Sequence, residues 1–149
     1  MTIPITPFTG LNQIAFGQSL EQVKLLLGEP TESTKEKHDD GTEDISFLYQ
    51  SEGLELSFMP EDDFRLGLIT CYTTNYALEN KSIIGLSEAI FLAEMDDLDV
   101  VLAEDLMDLN AKDYTIESKG LSIWIQDGHV HSITLFPQYD EHENIVWPK

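Results

Sequence analysis

The chain has 149 residues, 42% of them hydrophobic, which suffices for one domain with its own core. Eight Lys and Arg face 28 Asp and Glu, a formal net charge of −20, which disfavours nucleic acids and anionic membranes as partners. No apolar run approaches the roughly 18 residues of a membrane span. Residues 1–8 lack the basic start and apolar stretch of a signal peptide, so the expected compartment is the cytoplasm. Cys71 is the only cysteine. No internal disulfide can form, and its apolar surroundings at 68–72 read as a buried thiol.

Taken in order, residues 1–15 read as an extended lead-in, because Pro4 and Pro7 hold their predecessors in extended geometry. Ser19, with Gln22 three residues on, makes a capping box for a first helix. Leu20, Val23, Leu26 and Leu27 fall on its buried stripe, and Gly28 with Pro30 stops it. Residues 31–44 hold almost no apolar side chain and read as a long polar loop. Strands follow at 45–50, 54–58 and 66–73. The middle one alternates cleanly, and the third is apolar enough to be central.

Residues 74–83 lead to a second helix, capped by Ser87 and filled with Ala89, Ile90, Phe91, Leu92, Ala93 and Met95. Over 96–110, Leu98, Val101, Leu102, Leu106 and Leu109 recur at helical spacing and predict a further helix. Val100, Val101 and Leu102 also fit a short strand. Strands return at 113–118, 121–126 and 130–137, with Asp127-Gly128 as the hairpin turn between the last two. The tail, 138–149, carries Tyr139, Ile145, Val146 and Trp147 and is expected to fold back on the body.

The halves correspond. Gly17 matches Gly85, Ser19 matches Ser87, Gly53 matches Gly120, and Leu54, Leu56 and Phe58 match Leu121, Ile123 and Ile125. Ile69, Thr70, Cys71 and Tyr72 match Ile133, Thr134, Leu135 and Phe136, and the spacing changes only at turns, which tolerate it. The expected fold class is therefore α+β. A helix plus three-stranded antiparallel meander occurs twice, over about 14–74 and 82–137, as one domain with the helices packed on one face of a sheet. Gly17, Ser19, Val23, Leu27, Gly28, Pro30 and Tyr49 together resemble the unit of the beta-lactamase inhibitor protein fold. The same unit occurs singly in the small outer-membrane assembly lipoproteins. The second half keeps Gly85 and Ser87 but lacks the Gly-x-Pro stop. The resemblance implies a tandem α+β fold with a concave binding face. It carries over no target, since the inhibitor is secreted and disulfide-bonded.

No nucleophile elbow, phosphate-binding loop, dinucleotide fingerprint or kinase set is present, and a cap explains Ser19, so no enzymatic activity and no cofactor are expected. His129 and His131 flank Val130 at strand spacing and are weak metal candidates, with Asp140 and His142 as further donors in the tail. The acidic groups at 39–44 and 96–99 do not match a calcium loop. The outstanding stretch is 94–108. Glu94, Asp96, Asp97, Asp99, Glu104, Asp105 and Asp108 are seven acids with no base among them. They read either as a solvated helix face or as a negative surface that draws in a basic protein, with Trp124 and Tyr139 as anchors. The functional expectation is a non-enzymatic bacterial protein-binding domain, such as an immunity or inhibitor protein. The alternatives are an assembly protein acting as a homo-oligomer and a metal protein using His129 and His131.

Overall fold

The computed structural model describes residues 2–148. Its first half holds β1 (Ile3–Thr6), β2 (Gly10–Leu11), β3 (Ile14–Ala15), α1 (Leu20–Leu27), β4 (Glu32–Lys37), β5 (Glu43–Tyr49), β6 (Leu54–Phe58) and β7 (Leu66–Cys71). After β8 (Tyr76–Ala77) come α2 (Glu88–Glu94), β9 (Val100–Leu106), β10 (Ala111–Ile116), β11 (Leu121–Gln126) and β12 (His129–Leu135). The tail forms a small hairpin of β13 (Gln138–Tyr139) and β14 (Ile145–Val146).

The expected fold class is overturned. The chain is mostly β, 46% strand against 16% helix. One eight-stranded antiparallel sheet, in the order β4-β5-β6-β7-β12-β11-β10-β9, dominates it. Each half gives this sheet four strands rather than three. The two α-helices span only 8 and 7 residues, and each buries one side chain, Val23 in α1 and Phe91 in α2. They do not form a helical layer over a sheet. Of the expected stripe, Val23 is buried, Leu20 and Leu27 are half-buried and Leu26 is 39% exposed, so it is only partly used.

Two further expectations fail for identifiable reasons. The polar loop over 31–44 is largely β4, a tight hairpin and the start of β5. Every residue of β4 is exposed, so it shows no apolar alternation, and backbone pairing to β5 alone holds it in line. The helix expected over 96–110 is the strand β9, followed by a 3-10 turn at Met107–Leu109. Its β-branched start favours a strand, and pairing with β10 along the sheet edge overrides the helical spacing.

Other local features follow the residues that encode them. Ser19 Oγ accepts from Gln22 N at 3.1 Å and Gln22 Oε1 accepts from Ser19 N at 2.8 Å, a complete capping box. Such a cap contributes about 1 kcal/mol. Ser87 Oγ caps α2 with a single longer contact to Ile90 N at 3.3 Å. Gly17 (φ +95) donates to Leu66 O, and Gly85 (φ +93) donates to Val130 O, so each helix is tied to the start of a long strand by the same kind of bond. The lead-in is more ordered than expected: β3, β2, β1 and β8 form a second small sheet. The tail folds back, with Arg65 stacked 4.2 Å from the Trp147 ring.

One core serves both halves. Phe47, Leu56, Phe58 and Ile69 from the first share a cluster with Ile116, Ile123, Ile133 and Leu135 from the second. Cys71 lies within it, and burial pushes its thiol up to about 12. Near it is a polar misfit. Among the described residues the Thr73 hydroxyl has no hydrogen-bond partner, though it is buried, in a corner where a methyl on Gly53 would come within 2.3 Å of Thr73 Cγ2. An orphaned hydroxyl costs about 1–3 kcal/mol. Thr73→Val keeps the shape and removes the penalty. It should raise unfolding stability by about 1 kcal/mol in urea titration, and a loss of stability would show that the hydroxyl is satisfied in solution.

Candidate functional site

The seven acids of 94–108 do not share a helix face. Only Glu94 is helical; Asp96 and Asp97 lie in the following turn, Glu104 and Asp105 on β9, and Asp108 in the 3-10 turn beyond it. Two of the seven do structural work. Glu94 holds Lys81 at 3.0 Å, and that bond is the main reason the Lys81 ammonium titrates above its ordinary value. Asp99 accepts from both the backbone N and the hydroxyl of Ser118, and those bonds hold its carboxyl below the usual range. The others stand exposed, Asp96 and Asp97 in the turn after α2 and Glu104, Asp105 and Asp108 along β9 and the turn that follows it.

That edge is unusual in composition. β9 ends the sheet, and among the described residues no strand pairs with its outer side. β4 ends the other side, with Glu32, Lys35, Glu36 and Lys37 along it, the charge pattern that discourages edge pairing. β9 instead opens with Val100, Val101 and Leu102. Val101 is 58% and Leu102 45% exposed, and in the turn beyond them Met107 reaches 82% and Leu109 61%. The register with β10 shifts between Asp113 and Tyr114, leaving Ala103 as the unpaired extra residue of β9. The bulge sets an apolar pair, Val101 and Leu102, before an acidic pair, Glu104 and Asp105.

Beneath the end of β9 lies a cavity of about 330 Å³, lined by Glu88, Asp105, Met107, Ala111, Lys112 and Ile125 among others. Lys112 Nζ donates to both Glu88 oxygens, at 3.2 and 2.9 Å, and Tyr114 Oη donates to Glu88 Oε2. The bonds from Tyr114 and then Lys112 hold the Glu88 carboxyl below its ordinary value. Burial first, and Glu88 second, push the Tyr114 phenol up to about 12. Asp105 is the cross-strand neighbour of Lys112, whose ammonium is paired with Glu88. Sequence reasoning missed Glu88 and Lys112. The available signal was that Lys112 is the only Lys or Arg between residues 82 and 118.

The two aromatic anchors fall elsewhere. Trp124 is half-buried on the sheet face turned away from the core, with Asp113 and Ser132 as its cross-strand neighbours. Its Nε1 donates to Gln126 Oε1 at 3.1 Å. Asp113 in turn pairs with Glu104, so Trp124 shares a face with Glu104, while Asp105, opposite Lys112, is on the other. Strand alternation places Lys35, Lys37 and Lys112 on the opposite side, beside Ile45, Glu43 and Ile125, so among the described residues no strand turns a Lys or Arg onto the Trp124 face. Tyr139 is in the tail and lines a different cavity with Phe8, Thr115, Glu117 and Phe136. His129 and His131 do not form a strand pair. His129 closes the hairpin against Gln126, while His131 is the extra residue of a bulge between Val130 and Ser132. Among the described residues no three His, Cys, Asp or Glu side chains gather to hold a metal, and no helix is long and apolar enough to cross a membrane.

The Glu88 cluster gives a pH signature. Its folded carboxyl titrates below the ordinary 4.5, so its stabilisation is complete above that value and is lost as pH falls through the lower folded one. Glu88→Gln should therefore be less stable than the parent at pH 7, with the gap closing towards pH 3. Denaturant titrations at both pH values check this. A gap that is constant with pH would mean that Glu88 contributes no charge-dependent stability.

No protein-family model, curated protein or solved structure matches the chain.

Proposed function

We propose that the chain is a non-enzymatic cytoplasmic domain that binds a basic protein partner, as an immunity or inhibitor protein does, by occluding the partner's working surface. The observation that carries this reading is the one-sided charge of the β9 end. Glu104 stands exposed on the Trp124 face beside Asp113, Asp105 and Asp108 stand exposed at the rim, and no Lys or Arg is turned onto the Trp124 face by the described strands. A surface of one sign raises the encounter rate with an opposite surface, and a tryptophan beside it supplies the desolvated contact that a charge array lacks. The formal charge of −20 extends the same bias over the whole molecule.

Self-assembly is the rival reading, since Val101, Leu102, Met107 and Leu109 are exposed together. Charge works against it. Two copies meeting at β9 would each bring Glu104, Asp105 and Asp108 to the contact, and like charges directly opposite are destabilising.

A partner retained on the immobilised chain from the host's cell extract at low salt should be basic. Its association rate should fall about tenfold or more between 50 and 500 mM salt, because a Debye length of about 10 Å at 0.1 M shrinks with added salt. Glu104→Gln, Asp105→Asn and Asp108→Asn together should slow association while leaving dissociation less changed, measured by surface plasmon resonance. A partner whose association rate ignores salt would remove the electrostatic basis of the reading.

A further inference from the structure

We infer that the outer edge of β9 is a docking strand: an extended, basic segment of the partner adds to the sheet there as a ninth strand. This rests on the partner reading above and specifies how the partner is held. The first observation is the edge itself, which no described strand pairs and which carries exposed apolar side chains where β4 carries lysines. The second is the order of residues along it. Val101 neighbours Thr115 and Leu102 neighbours Tyr114, so the apolar pair puts one side chain on each face of the sheet. Glu104 neighbours Asp113 and Asp105 neighbours Lys112, so the acidic pair does the same. A complementary strand therefore has two consecutive apolar residues and two consecutive basic ones, one residue apart.

The third observation is the cavity beside Asp105. Its charges are the carboxylates of Glu88 and Asp105 against the single ammonium of Lys112, which leaves one negative charge in excess. Met107, Ala111 and Ile125 supply apolar wall. A lysine or arginine stem with its cation at Asp105 meets both requirements. The strand opposite Asp105 would turn that residue to the cavity side. A second copy of this chain fits poorly, since it would bring carboxylates to carboxylates. The two acids and the bulge thus discourage neutral or acidic strands and leave the edge open to a basic one.

The test uses synthetic peptides containing Lys-Lys-Thr-Ile-Val, which suits antiparallel addition, and Val-Ile-Thr-Lys-Lys, which suits parallel addition. Each is made unmodified and in two forms backbone N-methylated at alternate residues, and titrated into the full chain by NMR up to millimolar concentration, with polylysine alongside. One unmodified peptide should perturb the amides of 100–106 rather than those of 32–37. One methylated form should bind about tenfold more weakly or worse, because it loses donors along the paired edge, and the other should bind as the parent does. Equal binding of both methylated forms would overturn strand addition and leave the acidic-surface reading standing. The same holds if polylysine binds and no peptide perturbs 100–106. If neither peptides nor polylysine bind, both readings fail. Self-association through β9 that strengthens with salt would instead make the edge a contact between copies and overturn the inference.

Discussion

The short seam between β7 and β12 is the constraint on which the rest depends. Only three residue pairs cross it, Cys71 with Ile133, Thr70 with Thr134 and Ile69 with Leu135. Ile69, Cys71, Ile133 and Leu135 are fully buried on one side, and the hydroxyls of Thr70 and Thr134 meet at 3.1 Å on the other. Each half alone would expose the edge of β7 or β12 together with half of a shared core. Joined there, the halves make one sheet whose order runs inward along the first half and outward along the second. The seam thereby decides which strands become edges, and so where an unsatisfied backbone faces water.

The two edges then diverge. β4 is polar throughout and brings Lys35 and Lys37 to the rim. β9 pairs exposed valine and leucine with glutamate and aspartate. An edge strand offers a row of unpaired donors and acceptors to any chain that fits, so its side chains select what can approach. The mixed charges of β4 favour neither sign, whereas the acids of β9 favour a basic chain. With −20 overall, the acidic edge is the one that a basic chain reaches with the rest of the molecule's field in its favour. The Glu88–Lys112–Tyr114 cluster ties α2 to β10 just behind that edge. It keeps the floor of the cavity in place while β9 itself remains thinly packed.

Legibility followed burial. β6 and β11 were readable because Leu54, Leu56 and Phe58, and Leu121, Ile123 and Ile125, alternate with residues left wholly or partly exposed. The caps at Ser19 and Ser87 were readable because their chemistry is local. β4 was hidden, since a strand exposed on both faces has no apolar period. β9 left two readings open, a helix because Val101, Leu102, Leu106 and Leu109 fall at helical spacing and a short strand at Val100–Leu102; the long-range pairing with β10 extends the strand to Leu106. Of the site, the acids were visible as a run of like charge. That they line an edge, and that Glu88 and Lys112 meet across 24 residues of chain, are tertiary facts with no local sign. Trp124 and Tyr139, read together as anchors, lie in different settings: Trp124 shares a face with Asp113 and Glu104, while Tyr139 lines a separate cavity.

Amide hydrogen exchange on the isolated chain, resolved by residue, tests the central claim most directly. The expected result is slow exchange at 69–71 and 133–135 across the seam, and fast exchange for the alternate amides of 100–106 that point away from β10. Uniformly slow exchange along 100–106 in the isolated chain would contradict it, because the edge on which the functional reading depends would already be paired.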